Sequence, residues 1–227
     1  SIPSQIKECT VNTEKKFNYK KLFNIDHLPD NIFVSAGTKV PNRMGFSKYA
    51  SYINTITEQK YGRPLILAMS ADLSESTNIS GFAKGYGGAR DKGFYEKKSN
   101  TKSPLFPQGI TEFTNAGMMA GAVTVNFSAK PYESFSGFYG AVSTYGSFSY
   151  LKYGPLRLFS QLAQDSELKV GKIIWVVGHS GPETAEDSRT HYGIFAPGVT
   201  QLFPNGSIIN IHPWEHNEVA PSLTAAL

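Results

Sequence analysis

The stretch at residues 171–191 reads GKIIWVVGHSGPETAEDSRTH. It opens with the apolar run Ile173-Ile174-Trp175-Val176-Val177, which has the length of a buried strand and is short for a helix. Gly178 closes the run and His179 stands just past its carboxyl end. Glu183, Glu186, Asp187 and His191 follow within one polar segment. In open α/β sheets ligands bind in the crevice outside the carboxyl ends of the strands. A loop there with two histidines and three acids is a candidate active-site loop. Taken alone it also reads as a polar surface turn.

On either side of this stretch, apolar strands alternate with helical patterns. Phe46, Tyr49, Ala50, Ile53 and Ile56 recur at spacings of three and four, which predicts a helix over 43 to 59. Gly62-Arg63-Pro64 breaks it, and Leu65-Ile66-Leu67-Ala68-Met69 predicts a strand. Leu105-Phe106 reads as a short strand, followed by a helix in GITEFTNAGMMAGAV. Residues 137 to 145 read as a strand and 147 to 164 as one helix carrying Phe148, Leu156, Phe159 and Leu162. After the organising strand, Ile208-Ile209-Asn210-Ile211 predicts a further strand, and a last helix runs from Glu215. The Gly- and Lys-rich segment 81 to 104 reads as a solvated excursion. Residues 1 to 40, with lysines at 15, 16, 20 and 21, read as a linker or arm ahead of a domain over 41–227. Strands alternating with helices imply an α/β, doubly wound, mostly parallel sheet with helices on both faces.

Composition narrows the classes. Of the 227 residues 40% are hydrophobic, enough for a packed core, and no run reaches the roughly 18 apolar residues of a membrane span. The net charge of +4 is spread without a basic block, so nucleic acid is not an expected partner. The single cysteine, Cys9, favours a reducing compartment, and the expectation is a cytoplasmic protein. The chain begins at Ser1, which reads as a processed chain or a piece of a longer one.

Glu112 opens its helix, where the dipole favours a carboxylate, and small residues (Ala116, Gly117, Ala120, Gly121) follow. Four features combine: this acid, the aromatic-rich turn after residue 145, the strand ending in His179, and Glu186-Asp187-x-x-Thr190-His191. Together they resemble the pyrimidine-binding domain of transketolases. Ser70-Ala71-Asp72-Leu73 matches that family's signature with Ser76 at the expected offset, and Gly109-Ile110-Thr111-Glu112 resembles its Gly-(Ile/Val)-Arg-Glu segment. Tyr145, Phe148 and Leu151 fall where aromatic residues line the aminopyrimidine pocket, and Asn217-Glu218-Val219 resembles the start of a later helix.

The resemblance implies a thiamine-diphosphate fold of the pyrimidine type, lacking its last strand, and roles for individual residues. Glu112 would hydrogen-bond N1′ of the pyrimidine, carrying or sharing a proton, and burial favours the neutral form. Tyr145, Phe148 and Leu151 would line the ring, with Phe148 stacked on it. His179 and His191 would serve catalysis in the substrate channel, and Asp187 would bind a substrate hydroxyl. Arg43, Ser76 and His179 are candidates for binding the sugar phosphate, while Arg189, which departs from the family's pattern, is a candidate for an acidic group of the substrate or else turns outward.

Departures accompany the match. Ser188-Arg189-Thr190 replaces Gly-Pro-Thr, Tyr192 replaces Gln, Leu151 replaces an aromatic residue, and Thr111 replaces Arg; an insertion lies near 127 to 137. No Gly-Asp-Gly occurs, so this chain offers no metal ligand set of its own. The diphosphate and its Mg²⁺ or Ca²⁺ would be bound by a partner domain or chain. A C-terminal transketolase domain and a homo- or hetero-oligomer are further expected partners. The implied activity is two-carbon ketol transfer between sugar phosphates. Alternatives are an enzyme like 1-deoxyxylulose-5-phosphate synthase or dihydroxyacetone synthase, a degenerate non-catalytic subunit, or a sugar-binding module.

Overall fold

The computed structural model of the protein describes residues 16–87, 93–178, 191 and 196–227. Four strands form one parallel sheet among them: β1 (Ile66–Ser70), β2 (Leu105–Phe106), β3 (Tyr139–Tyr145) and β4 (Ile173–Gly178). Their order across the sheet is β2-β1-β3-β4. The helices are α1 (Tyr19–Leu22), α2 (Asn42–Tyr61), α3 (Glu112–Thr124), α4 (Tyr153–Asp165) and α5 (His216–Ala226).

Side chains alternate across a strand with period two, so each strand feeds two faces. Ile66 and Ala68 of β1, Tyr139 and Ala141 of β3, and Ile174 and Val176 of β4 join one core with α2 and α5. Leu67 and Met69, Val142, and Ile173 and Trp175 join a second core with α3 and α4. Helices therefore cover both faces, as the alternating sequence pattern predicts.

Local chemistry sets the element ends. Gly62 closes α2 in the left-handed region at φ 76°, and its N–H donates to Glu58. The buried Asn54 of α2 donates to the Ile66 carbonyl at 2.8 Å and accepts from the Ile66 N–H at 2.9 Å, fixing where β1 starts. A capping box between Glu215 and Glu218 starts α5. At Gly140 in β3 an added Cβ would run into Met119 of α3, so the missing side chain is what lets α3 lie close on the sheet.

Three expectations change. The helix expected over 147 to 164 divides into a 3₁₀ segment, Gly146–Lys152, and α4. Pro155 explains the break: it has no N–H for the carbonyl of residue 151, and its ring crowds that carbonyl, so proline is tolerated only in the first turn of α4. Ile208-Ile209-Asn210-Ile211 forms no strand; Ile211 packs on the core while Ile209 is 66% exposed. These residues bury single side chains without joining the ladder. The excursion expected from 81 begins in the core, with Gly81, Phe82 and Ala83 buried in a 3₁₀ turn, and Asn100 and Ser103 are buried near its end.

Residues 17–34 add Phe17, Leu22 and Ile32 to the first core. Arg63 stacks over the rings of Phe17 and Phe138 and donates to the Gly137 carbonyl at 3.0 Å, which ties this segment to the start of β3. Asn217 bonds both the N–H and the carbonyl of Val34, each at 2.9 Å.

Candidate functional site

From β1 the chain passes to β2 on one side, then through α3 to β3 on the other. The order reverses at β1 and β3, and the crevice outside their carboxyl ends is where open α/β sheets hold ligands. Side chains at this end are organised by hydroxyls. Ser143 Oγ of β3 lies 2.7 Å from Ser70 Oγ of β1 and 2.8 Å from Thr77 Oγ1. The Leu73 N–H donates to Ser70 Oγ at 3.3 Å and Thr77 donates to the Leu73 carbonyl at 2.7 Å. The loop after β1 is thus tied down over the sheet. Asp72 and Asn78 in it both adopt φ 59°, a left-handed conformation that Asp and Asn tolerate better than most residues. Arg43, at the start of α2, donates from Nη1 to the Ser76 carbonyl at 3.4 Å, so two residues expected at a sugar phosphate stand together. Gly178, closing β4, approaches the same loop, since a Cβ there would lie 3.5 Å from Thr77 Cγ2.

Glu112 is the first residue of α3 and only 5% exposed. Thr144 of β3 donates its hydroxyl to Glu112 Oε1 at 3.0 Å. Asn115 lies one turn further along α3 and is fully buried. Lys152, at the end of the 3₁₀ segment, is also fully buried, and its ammonium donates to Asn115 Oδ1. Burial pushes the Lys152 amine down to about 8, while the Glu112 carboxylate pulls it the other way. Glu112 is therefore bonded to a hydroxyl and shares its surroundings with a buried amine.

Thr144, Asn115 and Lys152 are absent from the sequence-based set. For Lys152 a signal exists. It lies four residues after Phe148 and four before Leu156, on the face that helical spacing assigns to the core. No pattern in the sequence joins Asn115 to it, because they meet only through the fold.

The aromatic residues gather beside the acid. Tyr145 ends β3 and Phe148 lies in the 3₁₀ segment that follows. The His191 ring meets Phe148 edge-on, with centroids 5.2 Å apart at 87°, and Tyr145 at 6.3 Å and 60°. Leu151 is 38% exposed at the margin. His179, Asp187 and Arg189 lie outside the described residues. Two shallow depressions elsewhere, one beside His212 and Glu218 and one beside Tyr19 and Leu227, include none of the residues gathered here. Among the described residues no group of three or more His, Cys, Asp or Glu side chains could hold a metal ion.

A family model described as transketolase, pyrimidine binding domain matches residues 47–227. The chain belongs to this family. No curated protein matches it. The matched span holds the four strands found among the described residues, together with Glu112, Thr144, Tyr145, Phe148, Lys152 and His191, and begins just after Arg43. The parallel sheet with helices on both faces agrees with the pyrimidine type of thiamine-diphosphate fold. Membership implies thiamine-diphosphate binding and a place among enzymes that depend on that cofactor. Among the described residues no helix is long and apolar enough to cross a membrane.

Proposed function

We propose that this chain supplies the pyrimidine side of a thiamine-diphosphate site in a transketolase-like enzyme, which moves a two-carbon ketol unit between sugar phosphates. The observation that carries the reading is a buried Glu112 bonded to Thr144 at the carboxyl end of β3, with Tyr145 next in the chain and the His191 ring against Tyr145 and Phe148. A buried acid near half-buried aromatic rings fits an aminopyrimidine, which offers ring nitrogens for hydrogen bonds and a flat surface for stacking.

In this reading Glu112 shares a proton with N1′ of the ring, and Thr144 holds the carboxyl in place for that contact. Phe148 stacks on the ring, while Tyr145 and Leu151 close its edges and exclude water. The bound cofactor supplies the electron sink for breaking a bond next to a carbonyl. His179 and His191 face the substrate and move protons at its oxygens, and Asp187 accepts from a substrate hydroxyl. Arg43, Ser76 and Arg189 receive the sugar phosphate. A diphosphate-binding domain or chain supplies the Mg²⁺ or Ca²⁺ site and the opposite wall, with a C-terminal transketolase domain and an oligomer completing the assembly. A cytoplasmic setting suits a chain with one cysteine.

The test mixes the chain with a polypeptide carrying the diphosphate-binding domain and follows consumption of a ketose phosphate donor. Glu112→Gln is expected to lower kcat about 100-fold or more, the scale of removing a positioned acid–base group. Full activity in that variant would refute the role of Glu112. Absence of thiamine-diphosphate binding by the unmutated assembly in calorimetry would favour a non-catalytic subunit.

A further inference from the structure

The acid and the aromatic residues of the site stand on different elements. Glu112 belongs to α3, while Phe148 and Leu151 belong to the 3₁₀ segment Gly146–Lys152. A 3₁₀ segment is held within itself by i→i+3 hydrogen bonds of poorer geometry than those of an α-helix, so its placement depends on what it packs against. This one packs on α3, α4 and β3. Its hydroxyls give it no anchor. Ser149 donates to the Gly146 carbonyl inside the segment at 2.7 Å, and Ser147 Oγ is buried with no partner among the described residues. Among the described residues one side-chain hydrogen bond leaves the segment, from Lys152 Nζ to Asn115 Oδ1 on α3. Both of these side chains are fully buried. Asn115 lies one turn beyond Glu112, and a spacing of three puts the two on one side of α3. Lys152 closes the segment that holds Phe148 and stands at the start of α4.

Burying an amine is costly, and an apolar pair of similar volume would serve packing as well. What a polar pair adds is register. Sliding the segment along α3 would part Nζ from Oδ1 and leave both without partners in the interior, whereas an apolar contact slides at little cost. Resting on the functional reading above, we propose that Lys152 and Asn115 are positioning residues: their hydrogen bond locks the register of the 3₁₀ segment on α3 and so fixes the spacing between Phe148 and Glu112. The ring and the acid have to meet one pyrimidine at the same time. With the spacing wrong, either the stack or the hydrogen bond is lost, and orientation suffers. In this role neither Lys152 nor Asn115 touches the cofactor; they act through the two elements that carry Phe148 and Glu112.

Two measurements test this. The first uses the reconstituted assembly at saturating thiamine diphosphate and follows consumption of a ketose phosphate donor. Lys152→Met combined with Asn115→Leu replaces the pair by apolar groups, so the urea midpoint of the chain is expected to match that of the unmutated protein. The kcat is expected to fall about tenfold or more, because stack and acid no longer hold the ring together. Asn115→Asp, which keeps an acceptor for Lys152, is expected to recover most of that rate. A double variant with unmutated kcat would overturn the proposal, and so would an Asn115→Asp variant as slow as the double one. The second measurement needs no cofactor: amide hydrogen exchange in the full chain, with and without Lys152→Met alone. Exchange at residues 149–152 is expected to speed up about tenfold more than exchange in β1, which reports wider opening. An equal change in both places would show that the pair serves overall stability and would overturn the lock, even if the double variant fails to fold. Failure of the unmutated assembly to consume the donor would instead count against the functional reading, leaving hydrogen exchange to decide the lock.

Discussion

The hydroxyl of Thr144 and Oε1 of Glu112 stand 3.0 Å apart, joining the carboxyl end of β3 to the first turn of α3 across a buried boundary. A strand residue thereby fixes where a helix residue presents its carboxyl group. Hydrogen bonds to a charged partner contribute more than neutral ones, and an abandoned buried acceptor costs about 1–3 kcal/mol. Thr144→Val keeps the shape and deletes the donor. We expect it to destabilise the chain by about that amount in urea unfolding, and to weaken thiamine-diphosphate binding roughly tenfold in calorimetry. Unchanged affinity would mean that Glu112 is held by other contacts.

The pH dependence of stability follows from the buried bases and phenols. Lys152 is pushed down to about 8 by burial, so between pH 8 and its ordinary value near 10.5 the unfolded chain binds more protons than the folded one. Stability from this group therefore rises with pH across that window, by about 3 kcal/mol in full. The phenols act oppositely. Burial pushes Tyr19 up to about 12 and raises Tyr49, Tyr86 and Tyr139 as well. Above pH 10 the folded chain retains those protons while the unfolded one loses them, and stability falls. Urea midpoints are expected to rise from pH 8 to about 10 and then drop. Burial lowers Lys172 as well, so Lys152→Met should shrink the rise to the part that Lys172 supplies and leave the drop.

Gly140 is expected to tolerate no side chain. Gly140→Ala would push a methyl group into Met119 and onto Val123 Cγ1 at 3.0 Å, lifting α3 from the sheet. Overpacking of this kind costs about 1–3 kcal/mol. Since Glu112 rides on α3, cofactor affinity should fall together with the urea midpoint. A stable variant with unchanged affinity would show that α3 can shift without moving its acid.

Arg43 offers a separate test of the substrate side. Its guanidinium spends one N–H on the Ser76 carbonyl, and no other hydrogen bond of it is found among the described residues, which leaves donors for a phosphate. A lysine ammonium lacks the fork needed to serve both at once. Arg43→Lys and Arg43→Ala are expected to raise KM for a sugar phosphate by similar factors, about tenfold, with kcat little changed. A kcat loss with KM unmoved would place Arg43 outside the phosphate site.

The strands and helices were legible because burial imposes periods that a sequence must carry. Ile173-Ile174-Trp175-Val176 feeds the two cores in alternation, with Val177 left exposed, while Phe46, Tyr49, Ala50 and Ile53 trace one face of α2. Glu112, Phe148 and His191 were legible through their resemblance to a known family. What escaped depends on distance rather than order. Nothing in the spacing of Asn115 and Lys152 announces that they touch, and Ile208-Ile209-Asn210-Ile211 has a strand's composition without a ladder to join. Pro155 was visible, but its effect depends on which turn of the helix receives it.

Ser70, Ser143 and Thr77 bring together the ends of two neighbouring strands and the loop above them, and Gly178 of β4 runs against the same threonine. Mechanically this makes the floor of the crevice a single braced plate. Strand ends linked in this way cannot spread one at a time, because each would leave a buried hydroxyl unpaired. Any widening that admits a ligand has to come from the rim, so the spacing between the Glu112 side and the Ser76 side is set before a ligand arrives.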